Sequence, residues 1–515
     1  MFKNEVAEFI YKRTYSRWIE EESRREDWPE TIERFIGFII SERPDIPEKT
    51  VHKIRKYMTE FAVMPSMRFL WAAGDAAKKD NTCIYNCSFA KINSVDAFAE
   101  CLYILMCGTG FGFSVESEEV EKLPVIPEIK SGQALKKVVI EDSKKGWADS
   151  VKTLMNSLYD GQNIYFDYSA IRPEGARLMT MGGRASGPQP LIKLHDFIRE
   201  TMHNAQGRQL TTLECHDICN QIAEIVVVGG VRRSSQISLS DLQDTDMRHA
   251  KEWPYPIKRA MANNSAIYRE KPSAGEFLSE WAALALSGTG ERGIFNLNAA
   301  QSKAPSRRYA PLIQGTNPCG EIMLRDMEFC NLSEVVVRAD DDLDSLLDKV
   351  ETATWLGVIQ SSFTYFPYLR NTWKKNCDTE ALLGVSLTGQ MDNPSLMNSE
   401  VFKALKSRVL RISRKASGIL GTKMPAATTC VKPSGTVSQL VDSASGVHPR
   451  YSEYYIRRYR ISANDPLFMM MKDAGIPCHP ENGQTKETAN TWVLEFPVKS
   501  PEGCITRKDV TALDQ

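Results

Sequence analysis

Short β-rich runs alternate with longer amphipathic stretches along most of this chain, and a chain patterned that way has few folds open to it. Phe111-Gly112-Phe113-Ser114-Val115, Ile225 to Val228, Gln236-Ile237-Ser238-Leu239 and Gly293-Ile294-Phe295-Asn296-Leu297 read as strands. Helical patterns run from Trp147 to Leu158 and from Leu343 to Trp355. The alternation predicts an α/β protein, with a barrel among the options for 515 residues. Ahead of it lies a helical region over 1–70. There Phe9, Ile10, Tyr15, Trp18 and Ile19, then Ile32, Phe35, Ile36 and Ile39, recur at helical spacing among charges. Gly475 to Gly503 reads as loop around one strand, Thr491 to Phe496. No repeat or low-complexity tract interrupts the chain.

The balance of 64 basic against 65 acidic residues gives no field for steering onto nucleic acid or an anionic membrane. No apolar run is long enough to span a bilayer, and Met1-Phe2-Lys3-Asn4-Glu5 does not resemble a signal peptide. The expectation is a cytoplasmic protein (host cytoplasm for a virus-encoded one) that binds neither nucleic acid nor membrane.

In such a compartment the 12 cysteines do not form a disulfide framework. They include no CxxC pair, and the histidines form no HExxH, so no metal site is expected. Gly315-Thr316-Asn317-Pro318-Cys319-Gly320-Glu321-Ile322 is the most informative stretch. Pro318 and Gly320 place Cys319 on a tight loop, where a reactive atom can meet a ligand. A carboxylate two residues away hinders thiolate formation, and no histidine is near in sequence to activate the sulfur. A sulfur used as a radical needs no lowered pKa, and it gains from a base placed to take a substrate proton.

Asn317-Pro318-Cys319-Gly320-Glu321, with Cys330 eleven residues beyond Cys319, resembles the finger loop of ribonucleotide reductases. Further segments resemble the monomeric, adenosylcobalamin-dependent triphosphate reductases, in the family's order. They include Tyr85-Asn86-Cys87-Ser88-Phe89, Gly182-Gly183-Arg184-Ala185-Ser186-Gly187-Pro188, Gly230-Val231-Arg232-Arg233-Ser234 and Lys432-Pro433-Ser434-Gly435-Thr436. The resemblance implies a ten-stranded α/β barrel of the ribonucleotide reductase and glycyl-radical type over 71–515, with Cys319 on a loop threading its centre.

It implies that Cys319 holds a thiyl radical, that Glu321 takes the 3′-hydroxyl proton and that Asn317 orients the substrate. Cys87 and Cys330 are the reductant pair. Ser66, Ser88, Gly110, Ser434, Gly435 and Thr436 are substrate contacts. Gly182, Gly183, Arg184, Ser186, Arg232, Arg233 and Ser234 belong to loops reading an allosteric effector. Adenosylcobalamin, with its cobalt, is the implied cofactor. The implied partners are ribonucleoside triphosphates, dNTP or ATP effectors, and a thioredoxin-like or small dithiol reductant.

The family usually continues past Gln515 with the last barrel strands, most cobalamin contacts and a reducing CxxC tail. The expectation is therefore a chain lacking these, with a possible second chain supplying them. Two other readings stay open: the large subunit of a reductase with a separate radical-generating subunit, and a non-catalytic nucleotide-binding fragment of a split reductase.

Overall fold

The computed structural model describes residues 2–129, 136–176, 185–228, 235–463 and 465–515. In chain order its principal strands are β1 (Val63–Pro65), β2 (Cys87–Lys91), β3 (Gly110–Ser114), β4 (Gln236–Asp241), β5 (Ala262–Tyr268) and β6 (Gly293–Asn296). These are followed by β7 (Glu328–Phe329), β8 (Ser333–Val336), β9 (Val385–Thr388), β10 (Tyr454–Ser462), β11 (Cys478–Pro480) and β12 (Thr491–Lys499).

The main sheet has the order β6-β5-β4-β3-β2-β7. Its first five strands are parallel and β7 runs antiparallel to β2. Every residue of β2 and β3 is buried, as expected of parallel strands covered on both faces. Helix Val95–Met106 joins β2 to β3, and helix Ala274–Ser287 joins β5 to β6. Between β3 and β4 the chain inserts helices Lys144–Tyr159, Gln189–Asn204 and Thr212–Val228.

A second sheet has the order β9-β8-β1, with β8 parallel to β9 and antiparallel to β1. Thr429 extends it by a parallel bridge to Val385. Only Cys330, Asn331 and Leu332 separate β7 from β8, so one short segment joins the two sheets. Among the described residues the strands form these open sheets and no closed ten-stranded ring. The α/β class holds.

Two sequence expectations change. Ile225 to Val228 is the last turn of helix Thr212–Val228. Ile218, Ile222 and Ile225 form a buried stripe at helical spacing, and burial of that stripe overrides the β preference of a branched run. The helical region over 1–70 also contains β1 and joins the main body. Phe9 on helix Glu5–Thr14 packs its ring 5.4 Å from Tyr459 on β10 and 5.3 Å from Phe496 on β12. Strands β10, β12 and β11 make a third, antiparallel sheet near the carboxy terminus. No described helix is long and apolar enough to cross a membrane.

Candidate active site

The stretch 315–324 is a hairpin whose short strands, Gly315–Thr316 and Met323–Leu324, pair antiparallel. It passes close over the main sheet because glycines make room on both sides. A Cβ on Gly112 would lie 2.3 Å from the Thr316 carbonyl oxygen, and one on Gly315 would lie 2.2 Å from the Phe89 ring. At Gly110 a Cβ would meet Cys87 Sγ and Pro318 Cγ, each at 3.2 Å. The glycines of β3 therefore seat the loop itself, a close backbone approach of the kind glycine permits within a strand.

The turn is tied internally. Asn317 Oδ1 accepts the Ile322 N–H at 3.0 Å, while Asn317 Nδ2 donates to Glu321 Oε2 at 2.7 Å. The Gly320 N–H donates to the Asn317 carbonyl at 2.9 Å, and Gly320 has φ +82°, a left-handed conformation that suits glycine. This arrangement leaves Cys319 exposed at the tip.

Beneath it are the other two thiols. The register Glu328↔Phe89 and Phe329↔Ser88 carries on to bring Cys330 opposite Cys87. The Cys330 N–H donates to the Cys87 carbonyl at 2.9 Å, and the Cys87 N–H donates to Cys330 Sγ at 3.2 Å. Opposed residues in an antiparallel pair have Cα atoms about 4.5–5.5 Å apart, within the range a disulfide spans. Both cysteines are buried and free, and Cys87 also hydrogen-bonds with the Cys319 thiol. The three sulfurs thus form a relay, Cys319 to Cys87 to Cys330.

The electrostatics keep the relay protonated. The hydrogen bond with Cys87, followed by burial, pushes the Cys319 thiol far above its ordinary value. Cys87 is also pushed well up: its bond with Cys319 favours the thiolate, but Cys330 and burial outweigh it. Burial raises Glu321, opposed by the Asn317 hydrogen bond and the charge of Lys432. Protonated thiols beside a carboxyl group suit hydrogen-atom and proton transfer better than nucleophilic attack.

The remaining sequence-predicted residues fall into three groups. Ser66 and Ser88 are buried with their hydroxyls engaged inside the protein. Ser66 Oγ accepts the Phe69 N–H at 3.2 Å, and Ser88 Oγ donates to the Gly110 carbonyl at 2.9 Å. Ser434 is buried with its hydroxyl unpartnered, Gly435 is exposed, and Thr436 opens the short helix Thr436–Leu440. Ser186 donates to the Gly187 carbonyl at 3.4 Å. Gly182, Gly183, Arg184, Arg232, Arg233 and Ser234 lie outside the described residues.

Sequence reasoning missed Cys430, whose thiol responds to the Glu321 charge, and the buried pair of Lys432 with Glu334. Neither follows a spacing rule, because sheet register brings them together. Among the described residues no group of three or more His, Cys, Asp or Glu is placed to hold a metal ion.

A solved B-12 dependent (class II) ribonucleotide reductase matches with a TM-score of 0.83 at 24% identity, over 98% of this chain and 83% of that one. The class Id ribonucleotide reductase alpha subunit of Actinobacillus ureae matches with a TM-score of 0.56 at 13% identity, over 92% and 79%. The fold is that of a ribonucleotide reductase, and the thiols sit on it as a loop-tip cysteine over a cysteine pair. Residues 1–75 match the ribonucleotide reductase alpha domain, and 127–202 match the insertion domain of B12-dependent ribonucleotide reductase.

Curated relatives named adenosylcobalamin-dependent ribonucleoside-triphosphate reductase include those of Levilactobacillus brevis and Lactobacillus leichmannii. The first is 29% identical over 614 aligned positions, 96% of this chain and 79% of that protein. The second is 27% identical over 597 positions, 95% and 79%. Over most of its length the chain is thus similar to adenosylcobalamin-dependent ribonucleoside-triphosphate reductases.

Proposed function

We propose that this chain reduces ribonucleoside triphosphates to 2′-deoxyribonucleoside triphosphates, with Cys319 as the radical-bearing thiol and Cys87 with Cys330 as the reductant. The observation that carries this reading is the three-sulfur relay: an exposed thiol on a braced loop, hydrogen-bonded to a buried, reduced cysteine that faces another across an antiparallel pair.

Adenosylcobalamin is the cofactor, and when bound it supplies the one-electron oxidation that turns a thiol into a thiyl radical. The sulfurs fit that role, because a bulky cofactor can reach exposed Cys319, next to exposed Gly320, but not the buried pair. Cys319 then removes the ribose 3′ hydrogen atom and Glu321 takes the 3′-hydroxyl proton. Asn317 fixes the Glu321 carboxyl group through its 2.7 Å hydrogen bond. The 2′-hydroxyl leaves as water with a proton from the cysteine pair, and Cys319 returns the hydrogen to C3′. The balance is one ribonucleotide and two thiols giving one deoxyribonucleotide, one disulfide and one water. A dithiol or thioredoxin-like reductant restores the pair.

Ser434, Gly435 and Thr436 receive the substrate phosphates in this reading; Ser434 offers an unpartnered hydroxyl and Gly435 open backbone. Ser66, Ser88 and Gly110 shape the site through the loops they brace. Effector nucleotides act through 182–186 and 232–234. Completing a ten-stranded catalytic barrel over 71–515 requires further strands beside β6 and Thr429, which a second chain can supply.

The test is deoxynucleotide formation from ribonucleoside triphosphates with and without adenosylcobalamin and dithiothreitol, alongside Cys319→Ser. Cobalamin-dependent product that vanishes in the variant supports the reading. Equal product from the variant refutes it.

A further inference from the structure

Away from the finger loop, an amine and a thiol from two separate helices meet in one pocket. Cys107 caps the end of helix Val95–Met106, its N–H donating to the Tyr103 carbonyl at 3.0 Å. Lys144 is the first residue of helix Lys144–Tyr159. Lys144 Nζ donates to Cys107 Sγ at 3.0 Å. Asp80 stands beside both: its Oδ2 accepts the Cys107 S–H at 3.5 Å and lies 3.8 Å from Lys144 Nζ. Cys107 is 0% exposed, whereas the Lys144 side chain keeps 31% of its surface in solvent.

An ion pair does not account for this arrangement. A lysine beside a buried carboxylate ordinarily takes the carboxylate as its nearest partner, yet Lys144 Nζ lies nearer the sulfur. The carboxylate is already engaged, with Oδ2 accepting the Tyr103 hydroxyl at 2.7 Å and Oδ1 accepting the Thr82 N–H at 2.9 Å. The Tyr103 ring centroid, 5.3 Å from Lys144 Nζ, holds the amine from another side. Arg68 donates to the Cys107 carbonyl and Cys83 Sγ to the Asp80 carbonyl, so the backbone around the sulfur is held as well. The nitrogen and the sulfur are therefore fixed at little more than the span of a single bridging atom. Burial keeps Cys107 a thiol, so oxidation there needs a proton acceptor, and Asp80 is within reach of both reacting groups. The partly exposed Lys144 side chain gives a small molecule a way in from solvent.

We propose that Cys107 and Lys144 form an oxidation site, at which dioxygen joins the two side chains through one oxygen atom as an N–O–S bridge. The inference goes beyond the reductase reading and does not rest on it. One ammonium group, one thiol and one dioxygen give one bridge, one water and one proton. The O–O, S–H and N–H bonds break, and the N–O and O–S bonds form. Sulfur and nitrogen each give up two electrons, and these reduce the dioxygen. The released proton passes to Asp80 and on to water. Two molecules of dithiothreitol reverse the step, returning thiol, amine and water. The bridge ties the start of helix Lys144–Tyr159 to the turn that leads into β3, whose Gly110 lies against Cys87 and Pro318.

The test is peptide mapping by mass spectrometry of the full chain, prepared without oxygen and then exposed to dioxygen, with no need for turnover. Hydrogen peroxide serves in a parallel arm, where two peroxides replace one dioxygen and three waters form. The expected product is a peptide joining Cys107 to Lys144, its mass the sum of the two plus one oxygen and less two hydrogens. It is expected to be absent before exposure, to vanish on treatment with dithiothreitol, and to be missing from Cys107→Ser and Lys144→Arg. Circular dichroism confirms that each variant is folded. Cys107 still a thiol in both arms overturns the proposal. So does its oxidation to a sulfinic acid, or to a disulfide with Cys83, while Lys144 stays a free amine. Lys144→Arg keeps the positive charge beside the sulfur, so the same oxygen gain persisting in that variant lies on sulfur alone and also overturns it.

Discussion

The backbone N–H of Cys87 donates to the sulfur of Cys330 at 3.2 Å, and the Cys330 N–H donates to the Cys87 carbonyl at 2.9 Å. Two thiols held opposite each other, Cys87 at the start of β2 and Cys330 just past the end of antiparallel β7, can close to a disulfide and reopen with little backbone movement. Replacing either cysteine should therefore stop multiple turnover while leaving the fold intact. Cys330→Ser is expected to keep its thermal midpoint within a few °C and to lose deoxynucleotide formation with dithiothreitol, falling to background.

Glu321 and Asn317 should separate kinetically. Glu321→Gln removes a base and is expected to lower kcat by about 10²- to 10⁴-fold with little change in substrate affinity. Asn317→Ala removes the bond to Glu321 and also the acceptor for the Ile322 N–H, so it should cost activity and about 1 kcal/mol of stability together. Steady-state kinetics and urea unfolding of the two variants check the contrast.

Gly112 is fixed by a backbone neighbour that cannot move alone. Gly112→Ala would place a methyl group 2.3 Å from the Thr316 carbonyl oxygen, forcing the finger loop away from β3. The expected cost is about 1–3 kcal/mol in urea unfolding, with a larger relative loss of activity because Cys319 moves with the loop. Gly320→Ala, with φ +82° and open space around the Cβ, should show a smaller cost arising from backbone strain alone.

How much of this was legible in the sequence depends on how far apart the cooperating residues lie. Asn317, Cys319 and Glu321 were readable because one hairpin turn holds all three. Cys87 and Cys330 were readable only through family resemblance, since their pairing is a matter of strand register. The pairing of Glu334 with Lys432 was missed, because no local pattern connects them. Ile225 to Val228 misled because a branched run at the end of a helix looks like a strand until its buried stripe is seen. The α/β alternation survived, whereas closure into ten strands is a property of sheet edges that periodicity does not encode.

Glu328 gives a pH prediction independent of catalysis. It is buried beside Glu380, with Arg308 bridging the two carboxyl groups, and burial followed by the Glu380 charge pushes it up to about 8. A carboxyl group whose folded pKa lies above its unfolded value of about 4.3 binds more protons when folded. Stability should therefore fall as pH rises from about 4.3 through about 8, by on the order of a few kcal/mol. Thermal unfolding across that window should show a falling midpoint in the native protein and a flatter profile in Glu328→Gln. A midpoint rising over the same window would contradict the assignment.

The most direct test of the central claim is a single turnover with adenosylcobalamin and ribonucleoside triphosphate but no external reductant, followed by peptide mapping of the cysteines. The three-sulfur relay predicts one deoxynucleotide per active chain, a matching amount of Cys87–Cys330 disulfide, and neither in Cys319→Ser. Product formed with both thiols still free, or with the disulfide at other cysteines, would contradict it.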